Sequence, residues 1–157
     1  MSRMPDNYIG IDEDRLKHVR AVGARASELA AELFGWDEQK CRDMFVLGYL
    51  HDVGYQYAPD QLQHEEIGGE ILKHAGYRYW AEVYYHGVPN SPYRSDELFI
   101  LNVADMETSK DGQRVTMNDR LNDIKQRYGD TSKQFIKADT LMRELQERIR
   151  QLLEAGN

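Results

Sequence analysis

The sequence lacks several features that would each place it in a particular class of protein. Its single cysteine, Cys41, excludes a disulfide within the chain, so a reducing compartment is expected. No segment approaches the ~20 apolar residues of a membrane span. Residues 1–6 also lack the apolar region of a signal peptide. We therefore expect a cytoplasmic protein that does not associate with membranes.

Positive charge is also scarce. The 20 Lys and Arg residues are outnumbered by 27 Asp and Glu residues, which gives a net charge of -7, and no basic run interrupts this balance. General binding to DNA or RNA needs a basic face, so nucleic acid is excluded as a partner. A small phosphate-bearing ligand stays compatible with this composition, because a few basic side chains at one place are enough to bind it.

Strand patterns are missing too, whereas apolar residues recur at the three- and four-residue steps of helices. The first two predicted helices are residues 13–34 and a helix from 38 to the His51-Asp52 pair. The next three are about 61–75, 77–86 and a helix that begins after Ser95. Two more follow, from 116 to 128 and from about 132 to 154. This pattern predicts one all-α domain over residues 1–157.

The most informative stretch is 47–57, whose centre is the pair His51-Asp52. The apolar residues 44–50 lead into the pair and Gly54 follows it, which predicts a buried helix that ends at these two side chains. An imidazole nitrogen and a carboxylate oxygen together suit zinc, manganese or iron. The alternative is a histidine at a helix end, followed by an aspartate that caps the next segment.

Four further polar side chains are predicted to face inward. His18 borders the apolar stripe of the first helix, His64 begins the inward face of the third, and His86 ends the fourth. Asp105 lies in the apolar run 100–106, where a carboxylate is costly unless a metal, an arginine or a helix N-terminus meets it. The remaining histidine, His74, lies outside its helix's apolar stripe and is predicted to be exposed.

These inward residues are too many for one tetrahedral structural zinc. They suit a catalytic site with one or two divalent transition metal ions, such as iron, manganese, cobalt, nickel or zinc, and open positions for water and substrate. Asp52 is expected to bridge two ions and to be essential for catalysis. The predicted metal ligands are His18, His51, Asp52, His64, His86 and Asp105.

A phosphate-bearing substrate would also need basic side chains. Arg114 is the strongest candidate for a catalytic and substrate-binding role, because its loop closely follows the helix of Asp105. Glu65, beside His64, is a candidate for acid–base catalysis or for supporting a ligand. The alternative for each is an ordinary solvated side chain. The further candidates for substrate binding are Lys73, Arg78, Arg94 and Lys110.

This arrangement resembles the HD superfamily of metal-dependent phosphohydrolases, whose pattern is H…HD…D. The resemblance implies that His18, His51, Asp52 and Asp105 hold a first metal. His64 in H-E-E-I-G-G-E and His86 in Y-Y-H-G match the subset that carries a second metal, with Asp52 as the bridge. The chain looks most like the small bacterial HD hydrolases that split diadenosine tetraphosphate symmetrically. The resemblance implies a five-helix core over about 13–115, with the helices of about 116–154 outside this core.

The sequence also departs from its relatives. Many of them have a lysine soon after the His-Asp pair, whereas this chain has Tyr55, so a lysine contact to phosphate is missing or moved. The E-D motif of guanosine tetraphosphate hydrolases is absent. So are the H-H-E and G-Y-P elements of cyclic dinucleotide phosphodiesterases, with Tyr85 where the first histidine of such a pair would stand.

Two functions follow as expectations. The first is an enzyme that uses metal-activated water to cleave a phosphoester or phosphoanhydride bond of a nucleotide or dinucleoside polyphosphate. The alternative is a non-catalytic HD module that binds a nucleotide or metal and signals to a partner. The full set of ligands favours the enzyme, whereas the missing lysine and the long last helix favour the module.

The last helix carries an apolar seam about two heptads long. The simplest interpretation is an amphipathic helix packed on its own domain. The alternative is a homodimer through this helix, because a helix of about 34 Å spans a domain of this size and an exposed seam would aggregate unless paired. The seam comprises Ala138, Met142, Leu145, Ile149 and Leu152.

Overall fold

The structure is a computed structural model that describes residues 11–57 and 63–156. Seven α-helices form there: α1 (Glu13–Phe34), α2 (Glu38–Leu50), α3 (His64–His74), α4 (Trp80–Tyr85), α5 (Asp96–Met106), α6 (Met117–Tyr128) and α7 (Lys133–Ala155). A short 3₁₀ helix, Val53–Gln56, follows α2. No strand forms within these two ranges, so the all-α prediction is confirmed, with five helices before residue 115 and two after it. Nor does any helix in them combine the length and apolar character that crossing a bilayer requires.

The helices begin where the sequence places capping side chains. Asp12 accepts a hydrogen bond from the N–H of Arg15 (2.8 Å), and Ser95 accepts one from the N–H of Leu98 (2.9 Å). Thr116 opens α6 with a capping box that its partner Asp119 completes. Each cap satisfies a backbone N–H that has no partner inside its helix. These local bonds explain why the sequence predicts helix starts well.

The predicted boundaries of α3 and α4 differ from the observed ones. Residues 61 and 62 of the predicted third helix lie outside the described residues, and α3 begins at His64. The predicted start of α4 at Tyr77 is too early, because the N–H of Tyr77 donates to the carbonyl of Leu72 (2.9 Å). This bond and the positive φ of Gly76 (79°) form the motif that closes α3. Tyr77 therefore belongs to the end of one helix and cannot begin the next.

Two close backbone contacts fix the helices around the His51-Asp52 pair. A Cβ atom placed on Gly48 of α2 would lie 2.6 Å from the Cα of Gly23 on α1. A Cβ atom on Gly54 would lie 1.7 Å from the carbonyl oxygen of His64. Only glycine permits either approach. The first contact places α1 against α2, and the second places the start of α3 directly beside the 3₁₀ helix.

Helix α5 is the centre of the apolar core. Its residues from Leu98 to Ala104 are all buried, and Ile100, Leu101 and Ala104 are fully inaccessible. Buried side chains of α1, α2, α4, α6 and α7 join the same cluster. A helix that is apolar on every side needs neighbours on every side, which explains the position of α5.

The seam of α7 packs on this core. Met142 and Leu145 are buried, whereas Ala138, Ile149 and Leu152 are partly buried against the same cluster. The helix therefore uses its seam within its own domain. A homodimer through α7 stays a prediction, and it would have to use side chains that the seam leaves exposed, such as Ile136 and Leu153.

The contact between α1 and α2 generates a prediction about stability. The change Gly48→Ala should destabilise the protein by about 2–3 kcal/mol, because the new methyl group must push backbone rather than a flexible side chain. Gly156→Ala is the control, since its Cβ would find no atom nearer than 3.5 Å. Denaturant unfolding measures both. Equal stability of the two variants would contradict the proposed close contact.

Candidate metal centre

The structure brings together the six predicted ligands from five helices. α1 supplies His18, the end of α2 supplies His51 and Asp52, and α5 supplies Asp105. The other two come from the first residue of α3, His64, and the C-terminal end of α4, His86. Asp105 is intermediate in exposure, and the other five residues are buried.

Asp52 lies at the centre of the group. Its Oδ1 atom is 3.4 Å from Nε2 of His51, 3.3 Å from Nε2 of His64 and 3.7 Å from Nε2 of His86. Its Oδ2 atom is 3.6 Å from Nε2 of His18. Four imidazoles therefore surround one carboxylate, with three of them near one oxygen. This geometry fits the bridging position predicted for Asp52.

Asp105 closes the group from α5. Its Oδ1 atom lies 3.0 Å from Nε2 of His18 and 3.5 Å from Nε2 of His51. The sequence predicts that a carboxylate on this apolar helix needs a cationic or metal partner, and two imidazoles occupy that place.

Backbone carbonyl groups orient three of the imidazoles. A carbonyl oxygen can only accept, so the ring nitrogen that faces it must carry hydrogen and donate. Nε2 of each ring is thereby left to face the carboxylates, as in histidines that bind metals. The Nδ1–H groups donate from His18 to Ser109 (2.8 Å), from His51 to Gly48 (2.6 Å) and from His86 to Val83 (2.6 Å).

The Nε2 atom of His51 is the clearest sign that an ion belongs here. It is buried and forms no hydrogen bond within the described residues, although two carboxylate oxygens lie 3.4 and 3.5 Å away. Because Nδ1 donates to the carbonyl of Gly48, Nε2 is the ring nitrogen that faces these oxygens. A buried polar atom without a hydrogen bond is costly unless an ion or another partner occupies the space between the groups.

The distances also fit a divalent metal. Ligand bonds of about 2.1 Å place two ligand atoms about 3.0–3.4 Å apart. The nitrogen–oxygen distances around Asp52 and Asp105 run from 3.0 to 3.7 Å. Three overlapping groups of residues have ligand atoms within 4.8 Å of one another: His18, His51 and Asp105; His51, Asp52 and His86; and His64, Glu65 and His86. The residues therefore fit one or two ions.

Glu65 is placed closer to this chemistry than an exposed helix glutamate would be. Its Oε2 atom lies 3.4 Å from Nδ1 of His64, and its side chain is 20% exposed. It belongs to the third group of potential ligands. The structure thus offers Glu65 as a ligand, and the acid–base role predicted for it stays a prediction.

Electrostatic interactions among the six residues shift the pKa values of several of them. Burial opposes ionisation of Asp52 and Asp105, but the neighbouring imidazoles outweigh burial and hold the pKa of both carboxyl groups well below the usual range. Burial likewise opposes protonation of His86, but the carboxylate of Asp52 outweighs it and raises the pKa of His86 to about 9. Asp105 has the same effect on the pKa of His18, which is raised despite burial. Without an ion, protons neutralise part of the negative charge.

Arg15 is a site residue that the sequence analysis missed. Its Nη1 atom lies 3.1 Å from Oδ2 of Asp52, and its guanidinium lies 3.8 Å from the centre of the Tyr55 ring. The Tyr55 ring in turn stacks on His64 at 4.0 Å. The signal was available, because Arg15 precedes His18 by three residues and so shares its helix face. The Arg15 side chain is 26% exposed and can reach a ligand from solvent.

The basic residues predicted to bind substrate lie elsewhere. Arg114 pairs with Glu28 at 2.8 Å, and the Nζ atom of Lys73 lies 4.6 Å from the Trp80 ring centre. Arg94 lines a cavity beside α7, and Lys110 lines a surface pocket near α6. Arg78 lies over the Tyr79 ring, 5.0 Å from its centre. Within the described residues, none of these five side chains bonds to the cluster, and their substrate-binding roles stay predictions.

Comparison with known proteins identifies the family. The sequence profile of the HD domain matches residues 15–121, which include all six predicted ligands and Arg15. The chain belongs to the HD domain family, whose members are generally metal-dependent hydrolases. No curated protein and no solved structure matches the chain. The match therefore supports the family and the general chemistry, and it leaves the subfamily that splits diadenosine tetraphosphate as a proposal.

The orientation of the histidines predicts which of them hold metal. His64→Ala and His86→Ala should each weaken ion affinity by about 100-fold or more. Replacing a residue that only hydrogen-bonds to a metal ligand already lowers metal affinity about 10–100-fold. His74→Ala should have no effect, since this side chain is 84% exposed. Metal analysis after dialysis against a weak chelator measures all three. Loss of metal in the His74 variant alone would refute the assignment.

The raised histidine pKa values predict that ion binding releases protons. At about pH 7.5 His86 is mostly protonated without an ion, and ligation requires the neutral ring. Ion affinity should therefore fall as pH falls below about 9. Conversely, His86 protonation stabilises the ion-free fold fully below about pH 6.5, and this gain is lost as pH rises through about 9.

Calorimetry in two buffers of different protonation enthalpy checks this prediction. The apparent binding enthalpy of Mn²⁺ should change with the buffer, because the buffer takes up the released protons. The same enthalpy in both buffers would show that the imidazoles are already neutral.

Proposed function

We propose that this protein is a metal-dependent phosphohydrolase that cleaves a phosphoester or phosphoanhydride bond of a nucleotide or dinucleoside polyphosphate. The observation that carries the proposal is the convergence of four imidazoles and two carboxylates, with the Nε2 atom of His51 buried and without a hydrogen bond. A purely structural ion would need four ligands and no opening. Here six predicted ligand residues meet, and the side chains of Asp105 and Arg15 keep about a quarter of their surface exposed.

Bound divalent metal would supply an acidified water molecule and positive charge for a phosphoryl oxygen. His18, His51 and Asp105 would hold one ion, and His64 and His86, with Glu65 as a further ligand, would hold the other. Asp52 would serve both, because its two oxygens face different histidines. The chain's own part in the reaction is to keep these groups in place and to bind the phosphoryl group beside them.

Arg15 is the residue best placed to bind that phosphoryl group. It is the basic side chain that touches Asp52, and it lies over Tyr55, the residue that stands where many relatives have a lysine. A guanidinium offers phosphate two parallel hydrogen bonds. In this proposal Arg15 on α1, one turn before the predicted ligand His18, performs the function of the missing lysine.

Metal analysis and a hydrolysis screen that separates the nucleotide products by chromatography test the proposal. The purified protein should contain transition metal, and Mn, Co, Fe or Ni should support hydrolysis of one class of nucleotide. Diadenosine tetraphosphate is the most informative substrate, because symmetric cleavage yields ADP alone, whereas asymmetric cleavage yields ATP and AMP. A metal-loaded protein that binds nucleotides but hydrolyses none of them would instead identify the non-catalytic module.

The position of Arg15 predicts the outcome of a matched pair of variants. Arg15→Ala should lower kcat/KM about 100-fold, since it removes a charged hydrogen bond to the phosphoryl group. Arg15→Lys should retain more activity than Arg15→Ala but less than the unaltered protein, because lysine keeps the positive charge and lacks the two parallel N–H donors of the guanidinium. Metal content should be retained in both.

Arg114→Ala is the comparison, because Arg114 was predicted from the sequence to bind phosphate and lies in an ion pair with Glu28. Steady-state kinetics on the same substrate rank the two arginines. A larger loss in the Arg114 variant would return the phosphate-binding role to the loop after α5 and remove it from Arg15.

A further inference from the structure

Tyr55 lies between two groups of the candidate metal centre. The Cζ atom of Arg15 is 3.8 Å from the centre of the Tyr55 ring. The His64 ring stacks on the same tyrosine, with ring centres 4.0 Å apart and planes inclined by 19°. Two planar groups cannot both come this close to one face of a phenol ring, so they lie on opposite faces. Arg15, Tyr55 and His64 therefore form a stack of three layers, with the tyrosine ring in the middle.

Asp52 joins the two outer layers of this stack. Its Oδ1 atom lies 3.3 Å from Nε2 of His64, and its Oδ2 atom lies 3.1 Å from Nη1 of Arg15. The four side chains thus form a closed cycle in which each contacts two others. His64 and Asp52 are predicted metal ligands and Arg15 is proposed to bind phosphate, whereas nothing in the mechanism above uses Tyr55.

The backbone fixes the Tyr55 ring in this position. The N–H of Tyr55 donates to the carbonyl of Asp52 at 3.0 Å, so the ring follows the carboxylate by one turn of the 3₁₀ helix. The close approach of Gly54 to the carbonyl of His64 places the start of α3 against the same turn. Tyr55 is 8% exposed, whereas the Arg15 side chain is 26% exposed. The stack therefore runs from a partly open guanidinium to two buried rings.

We propose that Tyr55 is a positioning residue that couples the ion site of His64 to the phosphate-binding Arg15. One face of its ring orients the imidazole, and the other face holds the guanidinium toward the phosphoryl group. A cation is attracted to the face of an aromatic ring, most strongly where water is partly excluded. Tyr55 acts through its ring faces and not through its hydroxyl group. The part that concerns Arg15 rests on the function proposed above, whereas the part that concerns His64 requires ion binding alone.

A Mn²⁺ titration of the metal-free protein, followed by the electron paramagnetic resonance signal of free Mn²⁺, tests the contact with His64. Tyr55→Leu removes the ring faces, and the affinity of the site that His64→Ala affects should fall about fivefold. Tyr55→Phe removes only the hydroxyl group and should retain the affinity. Tyr57→Leu is the control, because this side chain is 60% exposed. If Tyr55→Leu does not fold, Tyr55→Met replaces it, since the flexible methionine side chain fills the space without a ring.

A double-mutant cycle at saturating Mn²⁺ tests the contact with Arg15. Tyr55→Leu should lower kcat/KM for the nucleotide about tenfold, and Tyr55→Phe should retain most of it. In the Tyr55→Leu background, Arg15→Ala should cost about tenfold instead of about 100-fold, because the guanidinium has already lost its support. A tyrosine that only stabilised the fold would give losses that add to that of Arg15→Ala.

Three results would each overturn the proposal. They are a Tyr55→Phe variant that loses as much as Tyr55→Leu, a variant without the ring that binds Mn²⁺ as the unaltered protein does, and losses of Tyr55→Leu and Arg15→Ala that simply add. The Mn²⁺ titration does not depend on turnover. A protein that hydrolyses no nucleotide would therefore contradict the proposed function, while the titration would still decide whether Tyr55 orients His64.

Discussion

The fold depends on the burial of one carboxylate. Asp52 is 3% exposed and is surrounded by four imidazoles and a guanidinium. A buried charge of this kind is tolerated only when opposite charge compensates it. Arg15 and His18 both come from α1, and His51, His64 and His86 come from α2, α3 and α4, so compensation requires these four helices to meet at one point. The helical scaffold can be understood as the arrangement that satisfies this requirement.

Close backbone packing makes the arrangement precise. Gly48 takes part twice, because it lets α1 approach α2 and its carbonyl accepts the Nδ1–H of His51. Gly54 lets the start of α3 approach the 3₁₀ helix, which places His64 opposite Asp52. The positions of the predicted ligands His51 and His64 therefore depend on residues that have no side chain. A change in the spacing between the helices would displace the imidazoles even if none of the histidines were replaced.

Much of the fold and of the candidate site could be predicted from the sequence, for identifiable reasons. Caps such as Asp12 and Ser95 act within four residues, so the sequence alone reveals them. The six ligands share inward helix faces, which helical periodicity exposes. The family match agrees with this interpretation over residues 15–121.

The rest depends on contacts between distant segments. Helical periodicity places Arg15 on the same face as His18, but its contact with Asp52, 37 residues away, is set by the packing of α1 on α2. The early start predicted for α4 fails because Tyr77 is held by the end of α3. Arg114 was favoured for its closeness in sequence to Asp105, whereas its observed partner, Glu28, lies 86 residues away. Ion pairs of this kind arise from tertiary packing, which local patterns do not encode.

The way His18 is held has a consequence for synthesis of the chain on the ribosome. Both nitrogens of this ring bond to one later segment, Nε2 to Asp105 and Nδ1 to the carbonyl of Ser109. A nascent chain that has emerged only as far as α4 already contains five of the six ligands, but nothing yet orients its first histidine. The site is completed by residues that emerge roughly 90 positions after His18. Completion of the six-residue group is thereby tied to a late stage of translation, after Asp105 and Ser109 have emerged.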